Sequence, residues 1–420
     1  MTVFDGAKFD VYKNPRASRT AAYDAQGRAE ILSDGAFEIA KREITSWPGY
    51  KETPLRELSG LAGALKLGRV FYKDEGGRFG LGSFKALGGA YAVLRLLQQQ
   101  IEGKTGRQAN AREILSGKHK DLTSAITVTC ATDGNHGRSV AWGARTFGCR
   151  CVIYVHGTVS KSRVDAIASF GAEVRRVPGN YDDAVRQADH DAKANGWLIV
   201  SDTSYEGYTK VPRDVMQGYC LMVDEALRQM PVTPTHVFVQ GGVGGLAAAV
   251  CSHLWQAFGD RRPVYVVVEP DKADCLYRSA VAGKPTVVHG ALDTIMAGLA
   301  CGEVSLLAWK ILEPGTDAFM TVTDDAAAEM MRLLARSPYG DEPIVAGESA
   351  VAGLVGLSLA AVDTRVRESL GLKSSSVALL FGTEGATDPE VYRQIVGSAP
   401  DEIGTGGLTS PFGKTSHERR

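Results

Sequence analysis

The sequence predicts an α/β protein built on parallel sheet, with a smaller α/β unit set within a longer chain. Three observations carry this. From about residue 123 onward, short β-branched apolar runs alternate with helical segments, the pattern of parallel strands joined by right-handed crossovers. Two glycine-bearing turns, Thr132-Asp133-Gly134-Asn135-His136-Gly137 and Gln240-Gly241-Gly242-Val243-Gly244-Gly245-Leu246, each follow a strand and open a helix. The chain has 420 residues, 48 of them glycine, enough for more than one domain and for many tight strand-to-helix turns.

In chain order, residues 1–50 read as polar and irregular, with a helical patch at 36–42. Pro48 and Pro54 bracket an extended segment that leads through 53–58 into a first strand, and 70–75 reads as strand and turn. Small and apolar residues at 86–98 predict a helix, and 103–120 is a polar surface connector with some helix. The alternation then gives strands at 125–129, 151–155, 173–177 and 197–200, with helices at 137–147, 160–170 and 181–194 between them. A long helix begins at 208 and runs through 215–227, followed by strand 236–240, helix 246–258 and strand 264–269. A small-residue helical stretch at 344–363 and a buried strand at 376–381 come last. The tail beyond Pro400 is rich in Gly, Ser and charge and is expected to fray. No internal repeat is evident.

Hydrophobic residues make up 44% and charged residues 23%, ordinary for a soluble globular protein. A net charge of −1 gives no pointer to nucleic acid or to a membrane surface. No run approaches the roughly 18 apolar residues of a membrane span. Met1-Thr2-Val3-Phe4-Asp5 lacks the start of a signal peptide, so a cytoplasmic location is the simplest reading. Seven cysteines without a CxxC pair argue against a disulfide scaffold or a zinc site, and no metal is expected. Cys275 and Cys301 flank a glycine- and alanine-rich segment that a disulfide could close, two buried thiols being the plainer alternative.

Gly82-Ser83-Phe84-Lys85-Ala86-Leu87-Gly88-Gly89-Ala90 places a lysine at a helix start. The helix N-terminus carries partial positive charge, which biases the amine toward its neutral, nucleophilic form. This points to a Schiff-base lysine, against the plainer reading of an exposed lysine beside a tight turn. The run Gly241-Gly242-Val243-Gly244-Gly245 can crowd backbone N–H groups around an anion at the positive end of a helix, a phosphate cradle. It lacks the Lys-Ser/Thr of a P-loop. Glu269, at the next strand end, keeps a dinucleotide site open. Asn135 offers an amide donor, Asp133 a carboxylate that is otherwise a helix cap, and His136 reads as a packing histidine.

Taken in order and spacing, Ser83-Phe84-Lys85, Gly134-Asn135-His136-Gly137, the loop 241–245 and Phe381-Gly382-Thr383 resemble the fold type II pyridoxal phosphate (PLP) enzymes, the tryptophan synthase β-like group, over about residues 50–395. Within that group, Ala131-Thr132-Asp133-Gly134-Asn135-His136-Gly137-Arg138, Asp202-Thr203-Ser204-Tyr205-Glu206-Gly207-Tyr208 and Phe381-Gly382-Thr383-Glu384-Gly385-Ala386-Thr387-Asp388-Pro389 look like the diaminopropionate ammonia-lyases. The resemblance implies two three-layer parallel-sheet domains with PLP in the cleft between them. The large domain comprises 1–89 and 216–420, the small one 90–215. It implies a homodimer, a small amino acid as substrate, and a β-elimination that turns D- or L-2,3-diaminopropionate into pyruvate and ammonia. Lys85 is then the Schiff-base residue, and Gly241, Gly242, Val243, Gly244 and Gly245 hold the phosphate. Asn135 meets the ring 3-oxygen and Thr383 the ring nitrogen, with Glu384 beside it. Asp133 stands where serine and threonine dehydratases have a small residue. It suits a base on the face opposite Lys85, or an attractor for a β-ammonium. Asp202 adds a second carboxylate, or simply opens a turn.

Three other readings remain at this point. A serine or threonine dehydratase shares the motifs. A catalytically silent PLP- or amino-acid-binding regulator leaves the retention of Lys85 and both carboxylates unexplained. A nicotinamide-dependent oxidoreductase would use the glycine loop but has no role for Ser83-Phe84-Lys85.

Overall fold

The alternation of strand and helix folds into two separate sheets in the computed structural model, which describes residues 7–132 and 134–404. The strands are β1 (Phe9–Lys13), β2 (Leu55–Glu57), β3 (Arg69–Asp74), β4 (Thr127–Ala131), β5 (Arg150–His156), β6 (Glu173–Val177), β7 (Leu198–Ile199), β8 (His236–Gln240), β9 (Val264–Pro270), β10 (Ala318–Val322) and β11 (Val377–Gly382). The larger sheet has the order β1-β10-β9-β8-β11-β3-β2 and the smaller the order β6-β5-β4-β7. The five central strands of the larger sheet are parallel, and its edge strands β1 and β2 are antiparallel to their neighbours. The smaller sheet is parallel throughout.

Side chains alternate across each strand, and here both faces are covered. Val237, Val239, Tyr265, Val267, Phe319, Leu379 and Phe381 enter one core, together with helices Lys210–Gln229 and Gly245–Phe258. Phe238, Val266, Val268, Met320, Ala378 and Leu380 enter the other, under helices Asp324–Arg336 and Ala352–Val362. This is the three-layer arrangement expected of near-continuous apolar strands. In the smaller sheet Val152 and Tyr154 pack on Ala184 and Ala188 of helix Tyr181–Asn195. Val128, Cys130, Ile153 and Val155 face the other way, into the first core. Among the described residues no helix is long and apolar enough to cross a membrane.

The structure departs from the sequence reading in three places. The supposedly irregular first 50 residues contain β1, whose partner β10 also went unread, as did helices Leu306–Gly315 and Asp324–Arg336. The helix expected over 344–363 begins only at Ala352. The segment before it stays irregular because Gly347 N–H donates to Glu384 O at 3.0 Å and Ser349 N–H to Glu384 Oε1 at 3.0 Å. Of the tail expected to fray beyond Pro400, the described part to residue 404 includes a 3₁₀ turn at Pro400–Glu402, and the rest lies outside the described residues.

Helix Ala86–Thr105, which carries Lys85 at its N-cap, is seated by glycine. A Cβ on Gly88 would lie 2.4 Å from the Tyr219 ring, one on Gly89 1.9 Å from Ser139 Oγ, and one on Gly218 1.9 Å from Leu87 O. The small-residue run after Lys85 is therefore what lets helices Asn135–Phe147 and Lys210–Gln229 approach its backbone. The loop leading to Lys85 is held by a fully buried charge cluster. Glu225 Oε2 is 2.8 Å from Lys73 Nζ and 2.7 Å from Arg78 Nη2, and Arg78 Nε is 2.8 Å from Glu75 Oε2. Two cations thus face two anions. Glu225→Ala leaves an unmatched buried cation and should lower stability by about 3–5 kcal/mol. The expected readout is a lower urea midpoint for the variant with unchanged slope.

Candidate active site

The Lys85 ammonium meets a carboxylate brought from far along the chain. Its Nζ donates to Asp202 Oδ2 at 2.7 Å, with both side chains 19% exposed. Asp202 sits in the turn after β7, and its Oδ2 is also 3.7 Å from His136 Nδ1. His136 Nε2 lies 2.7 Å from Val200 O. A carbonyl only accepts, so Nε2 carries the proton and Nδ1 faces the carboxylate. Among the described residues Nδ1 has no hydrogen-bond partner, nor has the buried Tyr219 hydroxyl, whose ring centroid is 5.8 Å from Lys85 Nζ. Burial works against charge on Lys85, but Asp202 outweighs it and the ammonium pKa is raised. This corrects the expectation of a neutral amine: the helix end alone disfavours the charge, and the carboxylate reverses the sign. Burial likewise opposes charge on Asp202, yet the Lys85 ammonium holds its carboxyl below the usual range. Burial lowers the His136 pKa, and Lys85 nearby adds to this.

The glycine loop lies beside this pair. A Cβ on Gly245 would lie 3.6 Å from Asp202 O, and one on Gly242 3.5 Å from Cys301 Sγ. Ser305 braces both segments: its N–H donates to Val243 O at 2.8 Å, and its hydroxyl is 2.7 Å from Ser204 Oγ. Gly241 N–H is spent on Val268 O at 2.8 Å. The N–H groups of Gly242, Val243, Gly244 and Gly245 donate to no acceptor among the described residues, and Gly244 has a φ of +97°, which favours glycine. Four donors without an acceptor among the described residues thus stand at the start of helix Gly245–Phe258, an arrangement suited to an anion.

A third group closes the site. Phe84 N–H donates to Thr383 O at 3.0 Å, and Ser83 pairs with Glu384, so the residues after β11 lie against the lysine turn. Gln240 Nε2 donates to Phe381 O at 2.8 Å, to Ala350 O at 3.2 Å and to Thr383 Oγ1 at 2.8 Å. The two carbonyls fix which end of the Gln240 amide is nitrogen. Thr383 Oγ1 therefore accepts, and its own proton is left to donate elsewhere. Asn135 Nδ2 donates to Glu384 Oε2, which leaves it a second N–H. The structure thus brings Lys85, Asp202, Asn135, Thr383 and the loop 241–245 together. Asp133 lies outside the described residues. Sequence reasoning missed Gln240, His136, Tyr219 and the direction of Glu384. Gln240, His136 and Glu384 stand in or beside a motif, whereas nothing in the sequence marks Tyr219.

Two alternatives end here. Glu269, the acid a dinucleotide site would need, is fully buried and accepts the N–H groups of Leu276 at 3.0 Å and Tyr277 at 2.7 Å. Cys275 and Cys301 are thiols, with no disulfide between them.

The profile of a family described as "Pyridoxal-phosphate dependent enzyme" matches residues 46–382. The chain belongs to that family. Its curated relatives include a diaminopropionate ammonia-lyase of Escherichia coli (strain K12), 42% identical over 378 residues, which cover 87% of this chain and 92% of the relative. Another, of Salmonella typhimurium (strain LT2), is 39% identical over 360 residues, 83% of this chain and 89% of the relative. A crystal structure of the Escherichia coli enzyme in complex with an aminoacrylate-PLP azomethine reaction intermediate superposes with a TM-score of 0.83 at 38% identity, over 93% of this chain and 97% of that one. The residues of this pyridoxal-phosphate-dependent enzyme fit its cofactor: four unsatisfied amides suit the phosphate, a lysine amine the aldehyde, and the Asn135 amide and Thr383 hydroxyl the ring. Asp202→Asn removes the charge that keeps Lys85 protonated while leaving it buried. In the apo-protein at about pH 9, Lys85 of the variant should react with an amine-selective reagent at least about tenfold faster than in the wild type, a pKa drop of one unit or more. Peptide mapping of the label checks this.

Proposed function

We propose that this enzyme eliminates ammonia from 2,3-diaminopropionate, giving pyruvate and a second ammonia. The observation that carries the reading is the Lys85–Asp202 pair set between an amide cradle and the Asn135–Thr383 edge. The names of the curated relatives at 42% and 39% identity support it over a serine or threonine dehydratase. When bound, pyridoxal phosphate supplies an electron-withdrawing ring that acidifies the substrate's Cα–H and lets a β-substituent leave.

The chain's own residues do the rest. Lys85 Nζ is the amine for the cofactor's aldehyde, and the N–H groups of Gly242, Val243, Gly244 and Gly245 serve its phosphate, Gly241 N–H being committed to Val268 O instead of the phosphate expected of it. Asn135, held by Glu384, offers its second N–H to the ring 3-oxygen. Thr383, already accepting from Gln240, offers its proton to the ring nitrogen without protonating it, so the ring stays a moderate electron sink. Asp202 is the anchor for a β-ammonium, since it is ionised and already binds an ammonium, that of Lys85. Once Asp202 pairs with the β-ammonium, Lys85 loses the charge that keeps it protonated, and as a neutral amine it takes the Cα proton from one face of the ring while Asp133 takes it from the other, which accommodates both isomers. The reading includes a large domain of 1–89 and 216–420, a small domain of 90–215, closure of the cleft between them against water, and a cytoplasmic homodimer.

Lys85→Ala should abolish pyruvate formation from both isomers, because it removes the amine proposed for the cofactor's aldehyde, the one lysine paired with Asp202 among the described residues. A coupled pyruvate assay reads this directly, and substantial turnover by the variant sinks the assignment. Asp133→Asn should lower turnover of the D isomer by about 10²–10⁴-fold, the usual loss for a positioned base, and spare the L isomer. Separate kcat values for the two isomers, with cofactor content checked by visible absorbance, decide it. An equal loss on both isomers would assign Asp133 to binding.

A further inference from the structure

Beneath the glycine loop lies a carboxyl group that the reaction above does not use. Glu269, next to last in β9, is 0% exposed. Its Oε1 and Oε2 accept the N–H groups of Leu276 and Tyr277, in the first turn of helix Cys275–Ala282. Its stem forms the floor of the loop, since a Cβ on Gly241 would lie 2.9 Å from Glu269 Cγ. Cys275 Sγ bridges the two, 3.8 Å from Glu269 Oε1 and 3.5 Å from Gly242 O. The titratable groups facing the carboxyl are Asp274 and Cys275, both from that helix. The loop 241–245 and β10 contain no ionisable residue, and Glu269 forms no ion pair among the described residues. Asp274 is paired with Arg278 at 2.8 Å, and burial keeps the Cys275 thiol protonated. Burial pushes the Glu269 carboxyl up to about 8, with Asp274 adding to the rise and the two N–H groups opposing it.

We propose that Glu269 is a positioning residue for the phosphate cradle: protonated, it leaves the loop amides unopposed, and ionised, it sets a negative charge beneath them that loosens the phosphate. The proposal rests on the reading that 241–245 hold the cofactor's phosphate. The sign follows from linkage. A group whose charged form repels the ligand is protonated when the ligand binds best, so phosphate affinity is full at neutral pH and falls as pH rises through the carboxyl's titration.

Two ligands of the apo-protein isolate the effect. Pyridoxal phosphate and pyridoxal use the same Lys85, so the ratio of their dissociation constants reports the phosphate alone. Above about pH 7 a phosphate monoester is already largely a dianion, so its own titration adds little. Measured by protein fluorescence from about pH 7 to 9.5, the advantage of pyridoxal phosphate should shrink by at least about tenfold. A unit charge roughly 10 Å from a dianion at an effective dielectric constant near 20 gives that order or more. In Glu269→Gln the advantage should stay at its neutral-pH value throughout. An advantage in the wild type that is large and independent of pH overturns the proposal, whether or not the variant folds. A Glu269→Gln protein that keeps the wild-type decline overturns it as well. Equal binding of the two ligands at every pH removes the cradle reading itself, and the proposal with it.

Discussion

An ammonium and a carboxylate 2.7 Å apart, each largely withdrawn from water, set the terms for this site. Neither charge is stable there alone. Burial without a partner would neutralise Lys85, and Asp202 without Lys85 would lose its main compensation. The pair also joins distant pieces of chain. Lys85 stands on a helix seated by glycine contacts. Asp202 stands in a turn whose neighbour Ser204 holds Ser305, and Ser305 holds the glycine loop at Val243. One ion pair thus fixes the distance between the amine and the anion cradle, the two parts that must agree for a phosphorylated aldehyde to bind.

How far this could be read from the sequence depended on the range of each interaction. Lys85 and the loop 241–245 could be picked out as candidates from local chemistry, a lysine and a glycine run each at a helix start, whereas Asn135 and Thr383 were picked out by motifs resembling a family. The parallel strands were legible from local pattern, since burial on both faces leaves a continuous apolar run. The charge on Lys85 was misread because the local field of the helix end argues one way and a carboxylate 117 residues further on argues the other. Gln240 could not be assigned, since its amide reaches Thr383 across 143 residues. His136 was taken as packing, and its contact with Val200 O fits that, but the same ring presents its other nitrogen to Asp202. β1 was invisible because an edge strand with Asp10 and Lys13 in it carries little apolar signal, and only its pairing with β10 makes it a strand.

The glycine contacts around Lys85 have a mechanical consequence. A joint between helices normally contains side chains that can change rotamer and absorb a tilt. Here Gly218 puts backbone against the Leu87 carbonyl, Gly88 puts it against the Tyr219 ring, and Gly89 puts it against the short Ser139 side chain, which leaves little at those points to yield. Helices Ala86–Thr105, Asn135–Phe147 and Lys210–Gln229 therefore meet at close contacts with little room to adjust. A shift of Lys210–Gln229 has few side chains beside Lys85 to absorb it. The aim of the reactive amine is governed from a helix that bears no reacting group, so a substitution there can misdirect the amine while leaving every residue of the site in place.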